Sequence, residues 1–486
     1  MANEVAKVSD EQSAQMEAAT LPRALMGGTK AMRAAGKTYL PKEPAETEEA
    51  WLCRRDRTTL FNGFGKTIDD MTGKVFRKAI VLEKNVPETL RGYCENVDLT
   101  GRHLNVFAHD VFNDAMQPGI SYILVDMPQA VKRADGRPAT VADEQAAGIR
   151  PYLVHVKLES LIGWKSETVG GIETLTQIRI RECVKVDDGE FGEKSVERIR
   201  VIEPGRWRVF EKQNRPGANG EEWLEVDNGV NLLGRIALVP VYTNRTGFMQ
   251  GAAPLQKLAE INVAHWQSQS DQRNILHVAR VPILFGKGFA AEDRIVVGAN
   301  SAVTTTNKDA DLKFVEHTGA AIDAGDRDLK NLEFQMQTMG LQLLTATPGG
   351  KTATGEIHDS EKENSPLAMM ANGLGDALET ALGFMAQFMG LGRDAGGEVT
   401  VNTDFGITAG AAADLTVLAA DARAGVISKE TYWAEAKRRG VLADGFDPAV
   451  EKERLASEAP DLSMDLGAKP GGKNGAAGQN RPNQQI

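Results

Sequence analysis

Apolar residues recur at every third or fourth position over residues 46–78, a stretch that contains no proline. This spacing predicts an amphipathic helix with a break near Gly73. Residues 104–116 show the same period and predict a second, shorter helix that ends at Pro118 and Gly119. The apolar string ISYILVDMP follows directly and predicts a buried strand. The N-terminal part of the chain is therefore expected to be helical before the first strand begins.

Between residues 151 and 244 the hydrophobic period becomes two. Strings such as YLVHVKLESLIGW and GIETLTQIRIRECVKV are rich in β-branched and aromatic residues, which favour strands. Turn residues separate them at 170–171, 187–189 and 216–217. These features predict a β-rich block.

A helical period returns over residues 254–279, but the centre of this segment, HWQSQSDQRN, is polar nearly all round for more than two turns. Such a helix is not expected in a hydrophobic core. It must be exposed to solvent, bridge two domains or face other subunits. The candidate residues for such a surface are Gln267, Gln269, Asp271, Gln272 and Arg273.

The rest of the chain alternates short mixed segments with helices. Residues 280–317 contain four short strand candidates, and residues 326–345 predict a methionine-rich helix. After the loop TATPGGKTATG, residues 356–390 predict a long helix that is kinked because Pro366 lies inside it. A strand in EVTVNTDFGI precedes two helices over 411–424 and 428–439, the second capped by Ser428. Beyond residue 457 the chain is rich in Gly, Pro, Asn and Gln and is predicted to be disordered.

Composition and charge exclude several classes of function. The 486 residues suffice for several cores, and the net charge of −11 argues against a tight grip on nucleic acid, which usually requires excess Lys and Arg. The polar N-terminus predicts no signal peptide, and the apolar stretch 367–391 is interrupted by Asp376 and Glu379, so no membrane helix is predicted. Three scattered cysteines predict buried or inert thiols in a reducing compartment, the cytoplasm.

Motifs that carry chemistry are weak. GGKT at 349–352 invites comparison with a phosphate-binding loop, but Thr345 stands where that motif requires a glycine, and the segment follows a helix. The cluster IHDSEKEN at 357–364 is interpreted as a charged first helical turn in preference to a metal or acid/base site. The seven histidines are dispersed. The sequence therefore nominates no catalytic, metal-binding or cofactor-binding residue, and no enzymatic activity is expected.

Several long strings resemble portal proteins of tailed bacteriophages. They include LFNGFGKTIDDMTGKVFRK, DLTGRHLNVFAHDVFNDAMQPGISYILVD, VKLESLIGWK, VIEPGRWRV, LAEINVAHWQSQSDQRNILH and HDSEKENSPLAMMANGL. The resemblance covers most of residues 37–457 and leaves out the two ends. It implies an α+β protomer of the portal type, with a β-rich wing, two stem helices, a small mixed clip, a long kinked tunnel helix and a helical crown.

The resemblance also implies a division of the chain. The expected segments are an N-terminal extension (1–36), the wing (37–253, with the β-rich block at 151–244), a stem helix (254–279), the clip (280–318), a second stem helix (319–345), a tunnel loop (346–356), the kinked tunnel helix with a returning wing strand (357–410), crown helices (411–457) and a disordered tail (458–486). The candidate residues of the tunnel loop are Thr347, Pro348, Gly349, Gly350, Lys351 and Thr352.

The function implied by the resemblance is a homo-oligomeric ring, expected to be a dodecamer, at one capsid vertex of the virion. Double-stranded DNA would pass through it during packaging and ejection, and its partners would be the large terminase, the major capsid protein and head-completion or adaptor proteins. The ring would assemble in the host cytoplasm, without a membrane. The acidic net charge does not contradict DNA passage, because a conduit must not hold the strand.

Three alternatives stay open at this point. The chain could be a nucleotide-binding enzyme that uses GGKT, or another capsid-associated scaffold protein. The segment assigned to the tunnel loop could also be an exposed connection between two helices.

Overall fold

The computed structural model describes residues 4–128, 148–214, 221–230, 233–280, 283–289, 307–315, 319–344, 365–392, 394–405, 411–438, 441–442 and 446–458. The chain divides into two units, Met1–Phe405 and Gly406–Ile486. Within these ranges it contains both helices and several sheets, which confirms the α+β class.

The helices of the first unit lie on both sides of the strand-rich region along the chain. They are α1 (Asp10–Met26), α2 (Gly28–Ala35), α3 (Glu48–Arg57), α4 (Gly63–Val75), α5 (Glu88–Cys94), α6 (Leu104–Ala115), α7 (Gln256–Ala279), α8 (Ala320–Leu341) and α9 (Pro366–Phe388), with 3-10 turns at Glu4–Ala6 and Gly36–Thr38.

The strands form antiparallel sheets. They are β1 (Val81–Leu82), β2 (Ile120–Asp126), β3 (Tyr152–Val156), β4 (Leu161–Val169), β5 (Ile172–Asp187), β6 (Glu193–Glu203), β7 (Arg206–Asn214), β8 (Glu221–Val230), β9 (Leu238–Tyr242), β10 (Arg245–Gly247), β11 (Gln250–Gly251), β12 (Ile283–Lys287), β13 (Asp311–Val315) and β14 (Val399–Thr400). Strands β4 to β8 make a five-stranded meander, while β3, β2 and β9 make a separate three-stranded sheet in that order. The predicted β-rich block therefore contributes to two sheets.

The three-stranded sheet is covered on both faces. Ile123 and Val125 of β2 lie in the main core with α6 and α9, whereas Tyr122 and Leu124 lie in a second core with the five-stranded sheet. Successive side chains of a strand point to opposite faces, so a strand buried on both sides reads as a continuous apolar run. This explains the string ISYILV. The turn before it needs Gly119, whose φ is +95° and where an added Cβ would lie 2.1 Å from the carbonyl oxygen of Ala252.

The helix predicted over 46–78 is two helices, and the predicted break near Gly73 is wrong. Gly73 lies inside α4, and the chain leaves the helix at Thr58, whose backbone is extended and whose hydroxyl donates to the Arg54 carbonyl (2.7 Å). Asn62 then caps α4 by accepting from the Gly65 amide (2.9 Å). Capping side chains compete with helix continuation, and that competition decides the break here.

The N-terminal extension is part of the folded unit. Leu25 of α1 and Met32 of α2 are fully buried in the main core. The hydrophobic spacing of residues 10–35 is a signal for these two helices that the sequence interpretation passed over.

Helix α8 begins at Ala320, one residue after the expected start of the second stem helix (319) and six residues before the start at 326 that the hydrophobic period predicts. The predicted strand in EVTVNTDFGI is reduced to the two residues of β14, which pair with β1. The segment between α7 and α8 contains the antiparallel hairpin β12–β13. Residues 345–364 lie outside the described residues, and with them the tunnel loop and the acidic cluster at 357–364.

Pro366 does not kink a helix. It occupies the first turn of α9, after the N-cap Ser365, whose hydroxyl accepts from the Ala368 amide (3.1 Å). At this position proline loses no helical hydrogen bond, because the first amides of a helix have no partner within it. The expected kink at Pro366 is therefore wrong.

We expect Pro366→Ala to change the free energy of unfolding by no more than about 0.5 kcal/mol, as a change outside any strained position would. Ser365→Ala, one residue earlier, should lower it by about 1 kcal/mol through loss of the cap. Urea unfolding of both variants measures the two values. If Pro366→Ala instead stabilised the chain by about 3 kcal/mol, the proline would be acting as an interior helix breaker.

The second unit is helical in its described part. It contains α10 (Ala411–Arg423), α11 (Lys429–Arg438) and α12 (Pro448–Glu458). The predicted cap of the second helix is confirmed, since Ser428 Oγ accepts from the Thr431 amide (3.1 Å). The disordered tail predicted over 458–486 lies, beyond Glu458, outside the described residues.

Candidate functional site

Helices α7 and α8 form an antiparallel pair held by polar contacts along its length. Gln272 Nε2 donates to the Ile322 carbonyl (2.8 Å) and Ser268 Oγ donates to Asp328 Oδ2 (2.8 Å). One turn further, His265 Nε2 lies 3.2 Å from Glu333 Oε1. These contacts fix the register of the two helices over about two turns of α7 and three turns of α8.

A glycine of α8 makes room for the Gln272 side chain. A Cβ added at Gly325 of α8 would lie 2.1 Å from Oε1 of Gln272. The absence of a side chain at this position lets the Gln272 amide reach the α8 backbone.

The opposite side of α7 is held by α3. Arg54 of α3 is only 5% exposed and makes a bidentate ion pair with Glu46, with both N–O distances at 2.8 Å. Its guanidinium also donates to the Pro41 carbonyl (2.8 Å) and to Ser270 Oγ of α7 (3.3 Å). Arg57 donates to Asn274 Oδ1 (3.0 Å) one turn further along α7.

Nearer its start, α7 packs against α4 through Asn262. This fully buried side chain accepts from the Phe64 amide (2.9 Å) and donates to the Phe61 carbonyl (2.8 Å), which completes the hydrogen bonding at the start of α4. Trp266 is also fully buried beside it in the core.

The expectation that the polar centre of this helix must face water, another domain or another subunit is therefore wrong for much of its surface. Its polar side chains bond to α3, α4 and α8 of the same chain. A buried polar residue is tolerated when its hydrogen bonds are made, and neighbours distant in sequence make them for Ser270 and Gln272. The buried His265 Nδ1 and Trp266 Nε1 have no partner among the described residues.

The five candidate stem residues lie on different sides of α7. Asp271 and Arg273 are exposed, Gln269 is half-buried, and Gln267 donates to the Tyr39 carbonyl (3.1 Å). Gln272 is only 8% exposed, so its assignment to the stem surface is wrong in this chain. The candidate tunnel-loop residues Thr347, Pro348, Gly349, Gly350, Lys351 and Thr352 lie outside the described residues.

The electrostatics of the α3–α7 contact are dominated by Arg54. Its hydrogen bond to Glu46 raises the pKa of Arg54 and lowers the pKa of Glu46. Asp271 lies 3.5 Å from Arg54, yet its pKa is raised, because partial desolvation by the neighbouring residues and the charges of Glu43 and Glu46 outweigh the attraction of Arg54.

A buried polar cluster that the sequence interpretation missed lies elsewhere in the first unit. Asp114 Oδ2 accepts from Ser121 Oγ (2.8 Å) and lies 3.5 Å from His155 Nε2, while Asp114 Oδ1 accepts from Arg23 (2.7 Å). The three residue types of a hydrolase triad are present, but the same imidazole nitrogen faces both Ser121 and Asp114, and Ser121 is fully buried. A catalytic histidine uses separate nitrogens for these contacts, so the cluster is structural.

Chemistry at metals or thiols finds little support in the described ranges. They contain no group of three or more His, Cys, Asp or Glu side chains placed to hold a metal ion. Burial raises the pKa of the Cys94 thiol to about 11, which makes it inert at neutral pH. Cys94 is buried, whereas Cys53 and Cys183 are exposed. None of the helices described combines the length and apolarity that crossing a bilayer requires.

Comparison with known proteins gives two kinds of match. A family model described as a domain of unknown function (DUF4055) matches residues 254–389, less than half of the chain, and spans α7, the β12–β13 hairpin, α8 and α9. No curated protein matches.

Three solved structures to which the chain is similar come from gene transfer agent (GTA) particles. The first is the neck of an empty particle computed with C6 symmetry, with 11% identity and a TM-score of 0.39, and the match covers 81% of this chain and 88% of that one. The second is the virion of the native particle, with 11% identity and a TM-score of 0.36, and the match covers 81% of this chain and 89% of that one. The third is the neck of the native particle computed with C12 symmetry, with 10% identity and a TM-score of 0.38, and the match covers 76% of this chain and 88% of that one. All three TM-scores lie below 0.5.

Proposed function

We propose that the chain is the portal protein of a tailed-phage type of particle. Twelve copies form a ring at one capsid vertex, and double-stranded DNA passes through the ring during packaging and ejection. The protein is a structural channel without catalytic activity, and a separate terminase supplies the energy of packaging. It joins the head to the tail by contacts with the major capsid protein and with head-completion or adaptor proteins.

The observation that carries the proposal is the α7–hairpin–α8 unit. Helix α7 has 24 residues, which corresponds to about 36 Å. Side-chain hydrogen bonds join it to α8 on one side and to α3 on another. The unit is therefore an antiparallel helix pair with the paired strands β12 and β13 at one end. A helix pair held in this way can repeat around an axis to form the wall of a channel.

The order of elements supports the same assignment. The portal-like strings run through a strand-rich wing, the α7–hairpin–α8 unit, a Gly- and Thr-rich connection and then α9. In the proposed channel, the small residues near Pro348 move as the polymer passes, and Lys351 makes one transient contact with phosphate.

Net charge is compatible with a conduit. Each Lys or Arg that neutralises a phosphate strengthens binding and would slow sliding. Subunits of charge −11 instead repel the strand weakly from the wall.

Electron microscopy and native mass spectrometry of the purified full-length chain test the proposal. We expect closed rings with cyclic symmetry, a mass of twelve subunits and a central opening that admits double-stranded DNA, because heterologous contacts either close or propagate. A stable monomer without annular particles at high protein concentration would overturn it. Closed particles without a central opening would favour a scaffold protein instead.

A further inference from the structure

Helix α7 carries opposite charges on two opposite sides. Asp271 and Arg273 are two residues apart, which turns their side chains by about 200° around the helix and separates them by only about 3 Å along it. Both are exposed. A carboxylate and a guanidinium therefore face away from each other at nearly the same height.

The basic side, here called the basic flank, consists of Arg273, His277 and Arg280. Their spacing of four and seven residues places them in one row of the helix, and all three are exposed. None of the three side chains has an ion-pair partner among the residues that the structure describes. Asn262 and Trp266 lie on the same side of α7 nearer its start, where that side is buried in the core. The basic flank continues this side of the helix beyond the core.

The acidic side, here called the acidic flank, consists of Glu260, Ala264, Asp271 and Val278. These four residues share one row and are all exposed, with Val278 at 59%. The Asp271 side chain is 64% exposed although Arg54 lies 3.5 Å away. Because Glu43 and Glu46 act on Asp271 as well, a second cation beside it would be stabilising.

We propose that these flanks meet between neighbouring copies of the chain: the basic flank of one copy receives Asp271 of the next. The inference rests on the proposed ring and names the contact within it. A heterologous contact joins two different patches and closes into a ring when successive copies are not displaced along the axis. Two flanks on opposite sides of one helix, at nearly the same height, meet both conditions.

Charge complementarity of this kind suits a ring that must assemble correctly from one type of subunit. It selects the orientation in which flanks of opposite sign meet and disfavours the reversed one, in which like charges meet. The uncharged members Ala264 and Val278 leave room for close approach of the two helices.

Charge reversal tests the contact. Arg273→Asp places an acidic side chain opposite Asp271 of the next copy, and Asp271→Arg places a basic side chain opposite Arg273 of its neighbour. Each variant alone should need at least about tenfold more protein for half-assembly of rings, since like charges then oppose each other at every interface and each 1.4 kcal/mol corresponds to a factor of ten. Assembly is measured by native mass spectrometry and light scattering across a concentration series.

Mixing the two variants should restore assembly. Each acidic flank then finds a basic flank on the other variant, so the rings alternate and contain equal numbers of the two chains. The double variant Asp271→Arg with Arg273→Asp should also assemble by itself, because it restores complementarity with the polarity exchanged. Lys30→Glu, at an exposed position on α2, is the matched reversal control and should assemble like the unmodified chain.

A second measurement covers the case in which Asp271→Arg fails to fold beside Arg54. Cys53 and Cys183 are replaced by Ser, and Asp271→Cys is combined with Arg273→Cys. The two new thiols point away from each other on one helix and cannot pair within a chain, so mild oxidation should link neighbouring copies into a ladder of covalent oligomers.

The outcomes separate the contact from the ring. The flank contact would be overturned if the unmodified chain formed rings and both reversal variants formed them equally well. It would also be overturned if the reversals impaired ring formation and mixing them did not restore it. In both cases the channel proposal stands. Absence of oxidative ladders in intact rings would overturn the contact too. Failure of the unmodified chain to form any ring would overturn the proposed function itself.

Discussion

Arg54→Ala should lower the free energy of unfolding by about 4 kcal/mol, the cost typical of breaking a buried ion pair by removing one partner. The variant leaves the Glu46 carboxylate, whose side chain is only 12% exposed, without its bidentate partner. It also removes the donors to the Pro41 carbonyl and to Ser270 of α7. Urea unfolding followed by tryptophan fluorescence measures the change.

Two variants on the same helix separate the causes. Arg54→Lys keeps the charge but not the planar pair of donors, so it should recover only part of the loss. Arg55→Ala removes a neighbouring arginine that is 27% exposed and pairs with the 59% exposed Asp56, and it should cost about 1 kcal/mol. If Arg54→Ala lowered the free energy of unfolding no more than Arg55→Ala, the α3–α7 contact would not stabilise the α7–α8 pair.

Asp114→Asn should lower the free energy of unfolding at neutral pH by about 3 kcal/mol, because Arg23 and His155 lose their shared buried carboxylate. Burial by itself would raise the pKa of Asp114, but the hydrogen bond from His155 and the charge of Arg23 outweigh it and lower the pKa to about 2. A carboxyl group with a lowered pKa stabilises the folded state above its ordinary value of 3.8. That contribution is lost as the pH falls through the pKa of the folded state.

The unmodified chain and Asp114→Asn should therefore differ most at neutral pH, and their stabilities should converge between about pH 4 and pH 2. Chemical unfolding across this range gives the two curves. Glu159→Gln is the matched control, since Glu159 binds the same Arg23 but is 46% exposed and should contribute less than about 1 kcal/mol at any pH. A difference between the chain and Asp114→Asn that stayed constant down to pH 2 would contradict a stabilising charged carboxylate.

Local pattern predicted the type of most elements. The period of two over 151–244 identified the strands, and the period near 3.6 identified α6 and α7 to within about two residues at each end. Boundaries failed where a capping side chain decided them. Thr58 and Asn62 divide one predicted helix, and Ser365 starts α9 at a proline that the pattern had placed inside a helix.

The candidate site shows a different limit. Asp271 and Arg273 were chosen as polar residues of α7, and both are exposed. Gln272 between them looked the same in sequence, yet it is buried against Ile322 of α8, about fifty positions away. Polarity alone does not reveal whether a side chain finds its hydrogen bonds in water or in the protein.

What the sequence by itself determined about this protein is the alternation of helices and strands and the segregation of polar residues to the centre of one long helix, since both follow from the 3.6- and 2-residue periods of the backbone. Only the tertiary structure decided which sides of α7 the chain covers, and hence which charges remain for a neighbour. Arg54, Asn262, Gln272 and Glu333 each contact a residue distant in sequence, by up to 216 positions for Arg54 and Ser270. Contacts over such separations depend on how the elements pack, which no local period encodes.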